Sequence, residues 1–191
     1  PLVLVIVAAA PSTRNGSIMP ATEQDLMTRF AELNIECTTH RHPALWTVEE
    51  SKQLRGDLPG GHCKSLFLKD KKGVFYLVVA LEDREIDMKR LRRPIGAAQL
   101  SFGRPELLMK LLGVIPGSVT PFGLINDTET QVRVVLDHGM LEHDPLNYHP
   151  LTNEATTAIA PDDLVTFIQA CGHEPQILDF KELEASDGTP V

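Results

Sequence analysis

The stretch LLGVIPGSVTPFGL, residues 111–124, combines an apolar background with a high density of residues that restrict or free the backbone. It contains three glycines and two prolines, which are Gly113, Gly117, Gly123, Pro116 and Pro121. Glycine permits positive φ angles and close backbone approach, whereas proline fixes φ and removes a hydrogen-bond donor. The stretch therefore predicts a stiff loop whose backbone N–H groups face a ligand. The alternative is a helix C-cap at Gly113 followed by an ordinary turn.

Regular elements are indicated on both sides of this loop. Pro105 suits the first position of a helix, and leucines at 107, 108, 111 and 112 form an apolar stripe that ends at Gly113. Residues 130–136 alternate as a strand does. Upstream, residues 65–69 and 74–80 are β-rich runs joined by the turn DKKG, which indicates a hairpin.

The order of elements predicts the fold class. Thr22 and Asp25 form a capping box at the start of a helix, while residues 83–91 and 162–171 suggest further helices. Strands and helices alternate irregularly, and the hairpin argues against a regular doubly wound sheet. We therefore expect an α+β protein, a single domain with a central mixed β-sheet flanked by helices. The length of 191 residues is sufficient for one such core.

The chain divides into three segments. Residues 1–19 begin with PLVLVIVAAA, which is too short to span a bilayer and lacks the basic start of a signal peptide. We interpret this segment as an apolar leader or upstream extension without activity, with an added edge strand as the alternative. Residues 20–180 form the folded domain. Residues 181–191 are acidic and polar, and we expect a flexible tail.

The charge distribution leaves a nucleic-acid partner open. The formal net charge is -8, but residues 64–110 hold 11 Lys or Arg and 6 Asp or Glu. A local basic surface on an acidic protein can bind phosphates, although the run 89–93 is equally consistent with a solvated helix face. Three scattered cysteines without a C-x-x-C pattern argue against disulfides or a zinc ribbon and favour the cytoplasm.

Standard catalytic motifs are absent from the sequence: it has no nucleophile elbow, Walker loop, dinucleotide fingerprint or H-E-x-x-H motif. Cys63 could act as an activated thiolate, but no supporting base is identifiable and an inert thiol is the favoured interpretation. His40 and His42 have a spacing that metal sites use. No third ligand is nearby, so polar loop residues are the favoured interpretation.

Three motifs together carry a family resemblance. They are Lys64 in HCKSLFLKD, the loop Gly113-Val114-Ile115-Pro116, and residues 147–157, NYHPLTNEATT. Their order and spacing over roughly residues 22–180 resemble the YbaK-like, prolyl-tRNA synthetase-associated editing domains, and in particular the free-standing ProX type. The sequence departs from that type at Ser65, where Asn is frequent, and at Glu154, where Thr is common.

The resemblance implies a trans-editing deacylase that hydrolyses the ester of mischarged Ala-tRNA(Pro) without a covalent nucleophile, metal or cofactor. It gives catalytic roles to Lys64, Gly113 and His149: Lys64 holds the terminal phosphate or the ester carbonyl, backbone N–H groups at 113–117 polarise the carbonyl, and His149 orients the substrate amine or water. The implied substrate-binding residues are Ser65, Val114, Ile115, Pro116, Gly117 and Asn153.

Several alternative functions are compatible with the sequence. A deacylase for Cys-tRNA(Pro) or for another aminoacyl-tRNA would use the same site, and the sequence does not give the pocket size that would distinguish these substrates. A non-catalytic aminoacyl-tRNA-binding module or a hydrolase of small esters would share the fold. The expected partner is tRNA(Pro) carrying the wrong amino acid, prolyl-tRNA synthetase is a further candidate partner, and we expect no membrane association.

Overall fold

A computed structural model of the chain describes residues 13–14, 17–44 and 58–185. The strands are β1 (Thr13–Arg14), β2 (Ser17–Ile18), β3 (Cys37–Arg41), β4 (Gly61–Asp70), β5 (Phe75–Leu81), β6 (Leu100–Phe102), β7 (Val132–Asp137), β8 (Leu146–Tyr148), β9 (Ala155–Ile159) and β10 (Gln176–Leu178). The α-helices are α1 (Glu23–Glu32), α2 (Met88–Leu91), α3 (Pro105–Leu112), α4 (Pro161–Ala170) and α5 (Phe180–Ala185). Two 3₁₀ helices cover Pro121–Asn126 and His138–Glu142.

The central sheet is mixed, as the sequence predicts. Within the described residues it has eight strands. Seven of them follow the order β10-β7-β5-β4-β8-β9-β3, and the eighth, β6, pairs with the C-terminal end of β4. β4 and β5 form the predicted antiparallel hairpin, whereas β5 pairs with β7 and β4 pairs with β8 in parallel. The predicted α+β class with a central mixed sheet is confirmed.

Both faces of the sheet carry apolar clusters. Along β5, Leu77 and Val79 join the larger cluster, and Tyr76 and Val78 join the smaller one on the opposite face. This alternation is what a strand buried on both sides requires. The larger cluster contains three rings in edge contact, with centroids 5.1–5.7 Å apart: Phe30, Phe122 and Phe167.

Two element boundaries differ from the sequence-based prediction. The helix expected over 83–91 begins only at Met88, because the Asp87 carboxylate accepts hydrogen bonds from the backbone N–H groups of Lys89 and Arg90 and caps it there. The sequence predicts a flexible tail from residue 181, but residues 181–185 belong to α5, which begins at Phe180. Phe180 is buried and anchors that helix against the sheet, and residues 186–191 lie outside the described part.

The start of the chain is only partly described. The apolar run at residues 1–10, predicted as a leader or an added edge strand, lies outside the described residues. β1 and β2 pair with each other in a separate two-stranded sheet. In the ranges that the structure describes, no helix is long and apolar enough to cross a membrane.

Candidate active site

Lys64 and His149 lie on neighbouring parallel strands. Lys64 is in β4, and His149 directly follows β8. The last paired residues of these two strands are His62 and Asn147. Lys64 and His149 each come two residues beyond that pair, so the strand register brings both to the same end of the β4–β8 pairing. Both side chains are half-buried, which suits groups that meet a ligand at a pocket wall.

The buried ring of Tyr148 connects the three sequence motifs from the core side. Tyr148 precedes His149, and its hydroxyl donates a hydrogen bond to the Met140 sulfur at 3.5 Å. It also lies close enough to the thiol of Cys63, which precedes Lys64, for each group to influence the pKa of the other. The ring also meets Phe122 edge-on, with the centroids 5.6 Å apart. Phe122 belongs to the central stretch 111–124. One aromatic side chain therefore fixes the relative positions of the lysine strand, the histidine segment and the loop.

The Lys64 ammonium is held by the segment that follows β5. Its Nζ donates a hydrogen bond to the backbone carbonyl of Arg84. The Arg84 guanidinium in turn contacts the fully buried Asp137 carboxylate, with Nε and Oδ2 3.3 Å apart. Burial lowers the pKa of Lys64, and the nearby carboxylates of Asp83 and Glu82 act in the opposite direction. An ammonium has three donors, and Arg84 is the only hydrogen-bond partner of the Lys64 ammonium among the described residues, so two donors remain there for a ligand.

The orientation of His149 is set by a backbone carbonyl. Its Nδ1 lies 2.9 Å from the carbonyl oxygen of Ala155. Because a carbonyl only accepts hydrogen bonds, Nδ1 carries the proton and Nε2 holds the lone pair in the neutral ring. Burial lowers the pKa of His149; the bond to Ala155 raises it and the neighbouring His42 lowers it. The net lowering of the pKa favours the neutral imidazole.

The loop after α3 differs in one respect from the expectation. Gly113 caps α3 in the left-handed region, with φ of 66°, and its N–H donates to the Met109 carbonyl at 3.1 Å. That N–H is therefore occupied and does not face a ligand, because the left-handed cap directs it back to the helix. Among the described residues, the N–H groups of Val114, Ile115 and Gly117 donate no hydrogen bond.

Asn126 fixes the loop base, and sequence reasoning missed it. Its Nδ2 donates to the Leu112 carbonyl at 2.9 Å, and its Oδ1 accepts from the Ala21 N–H at 2.7 Å. The side chain thus joins the end of α3 to the segment before α1. A Cβ atom on Gly113 would lie 2.5 Å from Nδ2 of Asn126. The sequence signal for this role is a single polar residue after the apolar run PFGLI.

The remaining predicted residues line the loop and the β4 edge. Val114 and Asn153 are buried, Ser65 is half-buried, and Ile115, Pro116 and Gly117 are exposed. On the edge of β4 that faces β8 and β6, pairing covers only Gly61–His62 and Leu68–Asp70 among the described residues. Lys64 and Ser65 lie in the gap between them. No hydrogen bond within the described residues joins the 113–117 loop to Lys64 or His149.

The structure disfavours both a Cys63 nucleophile and metal binding by His40 and His42. Burial raises the pKa of Cys63 to about 12, so its thiol stays protonated and is a poor nucleophile. His42 uses both ring nitrogens in contacts with Pro43 and Thr156, and His40 is exposed on β3. Across the described ranges, no three His, Cys, Asp or Glu side chains are grouped closely enough to hold a metal ion.

A separate groove of about 710 Å³ lies away from these residues. It runs between α1, β3 and β9 and is bordered by the start of α4. Its apolar wall includes Phe30 and Ile159, and Glu36 and Asp163 lie at its margin. None of the predicted site residues lines it. The candidate site is therefore the edge of β4 and not this groove.

Comparisons with known proteins agree on one family. The model of the aminoacyl-tRNA editing domain matches residues 42–167. A prolyl-tRNA synthetase associated domain-containing protein 1 from Danio rerio is 38% identical over 178 residues, covering 92% of this chain and 97% of that protein. The prolyl-tRNA editing protein ProX of Acetoanaerobium sticklandii is 36% identical over 163 residues, covering 85% of this chain and 96% of that protein.

The fold also matches a solved structure. A protein provisionally described as a trans-editing enzyme for prolyl-tRNA synthetase superposes with a TM-score of 0.64 over 82% of this chain and 94% of its own. Its sequence identity is 22%, so the likeness concerns the fold alone.

Proposed function

The chain belongs to the aminoacyl-tRNA editing domain family, and we propose that it is a trans-editing deacylase that hydrolyses the ester of Ala-tRNA(Pro). The observation that carries the proposal is the placement of Lys64 in β4 and of His149 directly after the adjacent parallel strand β8, at the same register and both half-buried. A lysine donor and a neutral histidine are the two groups that water-mediated ester hydrolysis uses, one for the developing negative charge and one for the proton.

The reaction follows from these two groups and the loop. Water attacks the ester carbonyl while its proton passes to a base, and Nε2 of His149 is the nitrogen able to accept it. The oxyanion then forms beside donors, which we assign to Lys64 and the N–H groups of Val114, Ile115 and Gly117. Collapse of the tetrahedral intermediate breaks the bond to the ribose oxygen. That oxygen takes the proton back from His149 and leaves as the terminal hydroxyl.

Selection of alanine would depend on exclusion. A pocket gains only about 1–3 kcal/mol from one additional methylene, so positive binding discriminates weakly between small amino acids. Buried Val114 and exposed Ile115 lie in the loop and are candidates for the pocket wall that excludes proline. A cysteinyl ester is close to alanine in size, and Cys-tRNA(Pro) is therefore the nearest alternative substrate.

A basic surface at the far end of β4 supports a tRNA partner. Two exposed pairs of cations lie there, Lys71 with Lys72 and Arg92 with Arg93. The buried Asp70 carboxylate brings them together, because it accepts hydrogen bonds from the backbone N–H groups of Lys72 and Ala98. None of the four cations forms an ion pair with a carboxylate within the described ranges, so they are available to phosphates.

The distance between the two regions suits an RNA end. From Lys64 to Lys71 the chain advances seven residues, which is about 24 Å at the rise of an extended strand. About seven stacked nucleotides cover the same length at about 3.4 Å each. A tRNA whose 3′ end lies at Lys64 can thus reach the basic surface with its acceptor stem. Prolyl-tRNA synthetase, which charges the same tRNA, is a further candidate partner.

The test is deacylation of tRNA(Pro) charged with alanine, cysteine, serine or proline, with Lys64→Ala beside the wild type. We expect rapid loss of alanine, retention of proline and a rate constant about 10²–10³-fold lower for the variant. Preferential loss of cysteine or serine would keep the enzyme class and change the substrate. Hydrolysis of simple esters without tRNA would indicate a small-ester hydrolase. Stable tRNA binding without loss of any ester would indicate a non-catalytic binding module.

A further inference from the structure

His42 lies beside His149, although it is more than 100 residues away in sequence. It directly follows β3, and its backbone N–H donates to the Glu154 carbonyl at 3.1 Å, which extends the pairing of β3 with β9 by one residue. The rings of His42 and His149 then meet at an interplanar angle of 61°, with their centroids 6.1 Å apart. The spacing that first suggested a metal ligand at His42 therefore has a different structural outcome.

The His42 ring is fixed at both nitrogens. Its Nδ1 lies 2.9 Å from the Pro43 carbonyl oxygen, and its Nε2 lies 2.9 Å from the Thr156 hydroxyl oxygen. Because the carbonyl only accepts, Nδ1 of His42 donates and Nε2 accepts the hydroxyl proton in the neutral ring. If His42 gains a proton, Nε2 donates to the same hydroxyl. Both protonation states therefore keep the ring in one place.

We propose that His42 is a positioning residue for His149: its ring packs against the His149 ring and favours the neutral imidazole whose Nε2 carries the lone pair. The inference deepens the proposed function, because that lone pair is the base to which deacylation assigns the water proton. The contact between the two rings is independent of the reaction. The Ala155 carbonyl selects the tautomer, and His42 opposes a second proton.

The physical cause is repulsion between like charges at short range. The titratable groups on the elements around His149 are His42, whose ring contacts the His149 ring, Glu154, which precedes the hydrogen-bond partner Ala155, and Lys64, which lies two residues beyond the β4–β8 pairing. Of these groups, His42 acts on the pKa of His149. Like burial, which has the larger effect, it lowers that pKa. Protons on both rings would place two positive charges next to each other in a site where water screens poorly. His149 thus remains a base to lower pH than an isolated histidine.

The first test needs no tRNA. Imidazole ¹H–¹⁵N spectra of ¹⁵N-labelled protein, recorded from about pH 5 to 8, report the tautomer and the pKa of each histidine. In the wild type we expect His149 to be protonated at Nδ1 alone. In His42→Gln we expect the His149 pKa to rise. The control is His138→Gln, which removes an exposed histidine near Glu142 and should leave His149 unchanged.

The second test is the pH dependence of deacylation. The acid limb of kcat/KM for His42→Gln should move to higher pH by the same amount as the His149 pKa, with the plateau near the wild-type value. A lowered plateau with an unmoved limb would mean that His42 only supports the fold, and it would overturn the proposal. So would a wild-type His149 protonated at Nε2, or a His149 pKa that is the same in His42→Gln. A moved pKa in a protein that deacylates nothing would keep the inference and reject the proposed function.

Discussion

The Phe122 ring meets the Tyr148 ring edge-on at 76°, with the centroids 5.6 Å apart. This contact joins the central loop to the residue that precedes His149, and it lies among the most buried side chains of the protein. Edge-to-face pairs contribute about 0.5–1.5 kcal/mol beyond the burial of their area. The contact therefore has two consequences, one for stability and one for the geometry of the candidate site.

Truncation of Phe122 should destabilise the protein strongly. Phe122→Ala removes a ring that also contacts Phe30 and Phe167, and we expect a loss of about 3–5 kcal/mol in the free energy of unfolding, measured by urea denaturation. Phe122→Leu should cost less and still reduce deacylation, because the loop no longer has its edge contact with Tyr148. The matched control is Phe102→Ala, whose ring is 63% exposed and whose removal should change stability little.

Replacement of Gly113 should be costly for two separable reasons. Gly113→Ala places a methyl group 2.5 Å from Nδ2 of Asn126, and it forces alanine into a left-handed conformation that costs about 1–2 kcal/mol. Gly96 has nearly the same φ, 65°, and a Cβ atom added there would meet no other atom within 4 Å. Gly96→Ala therefore measures the conformational cost alone. Equal losses of unfolding free energy in the two variants would show that the Asn126 contact is unimportant.

Lys64 should be required for turnover but not for folding. Lys64→Ala should lower the deacylation rate constant by about 10²–10³-fold, the usual effect of removing one donor to a developing oxyanion. The half-buried side chain makes its main hydrogen bond to a backbone carbonyl, so circular dichroism and the melting temperature should change little. Lys69→Ala is the control on the same strand, where the ammonium lies over the Phe75 ring. Activity of Lys64→Ala at the wild-type level would remove the lysine from the mechanism.

The acid limb of the reaction should lie below the ordinary histidine range. Burial lowers the pKa of His149 from 6.5, so the neutral base persists below that pH and the rate falls only as pH decreases through the lowered value. We expect the midpoint of the acid limb of kcat/KM to lie below pH 6.5, with a slope of one proton. His149→Asn should abolish this limb together with most of the activity. A limb above pH 6.5 in the wild type would exclude neutral, buried His149 as the base.

Removing the basic surface should weaken tRNA binding without affecting the chemical step. Replacement of Lys71, Lys72, Arg92 and Arg93 by Gln should raise the Kd for tRNA(Pro). It should also flatten the dependence of log Kd on log salt by about 0.7–0.9 for each phosphate that the protein no longer neutralises. Single-turnover rates at saturating enzyme should remain near the wild-type value. Lys181→Gln, on exposed α5, is the control. An unchanged salt dependence in the fourfold variant would place the tRNA on another surface.

The sequence predicts helix ends and turns correctly wherever residues close in sequence decide the structure. The capping box of Thr22 and Asp25 forms as predicted, Pro105 begins α3, and Gly113 ends it. The β4–β5 hairpin follows from two β-rich runs and a tight turn. The bounds of α2 and α5 could not be predicted in this way. The Asp87 cap competes with an earlier helix start, and α5 depends on a buried Phe180 that needs the sheet behind it.

The sequence by itself determined the fold class, the family resemblance and the residue types of the site, because turn chemistry, strand patterning and motif spacing are local properties of the chain. Only the tertiary structure decided which groups meet. Lys64 and His149 become level through the pairing of β4 with β8, and His42 reaches His149 through the pairing of β3 with β9. It also decided that the Gly113 N–H is occupied and that the Cys63 thiol is inert. These outcomes depend on burial and on contacts between distant segments, which have no local signature in the sequence.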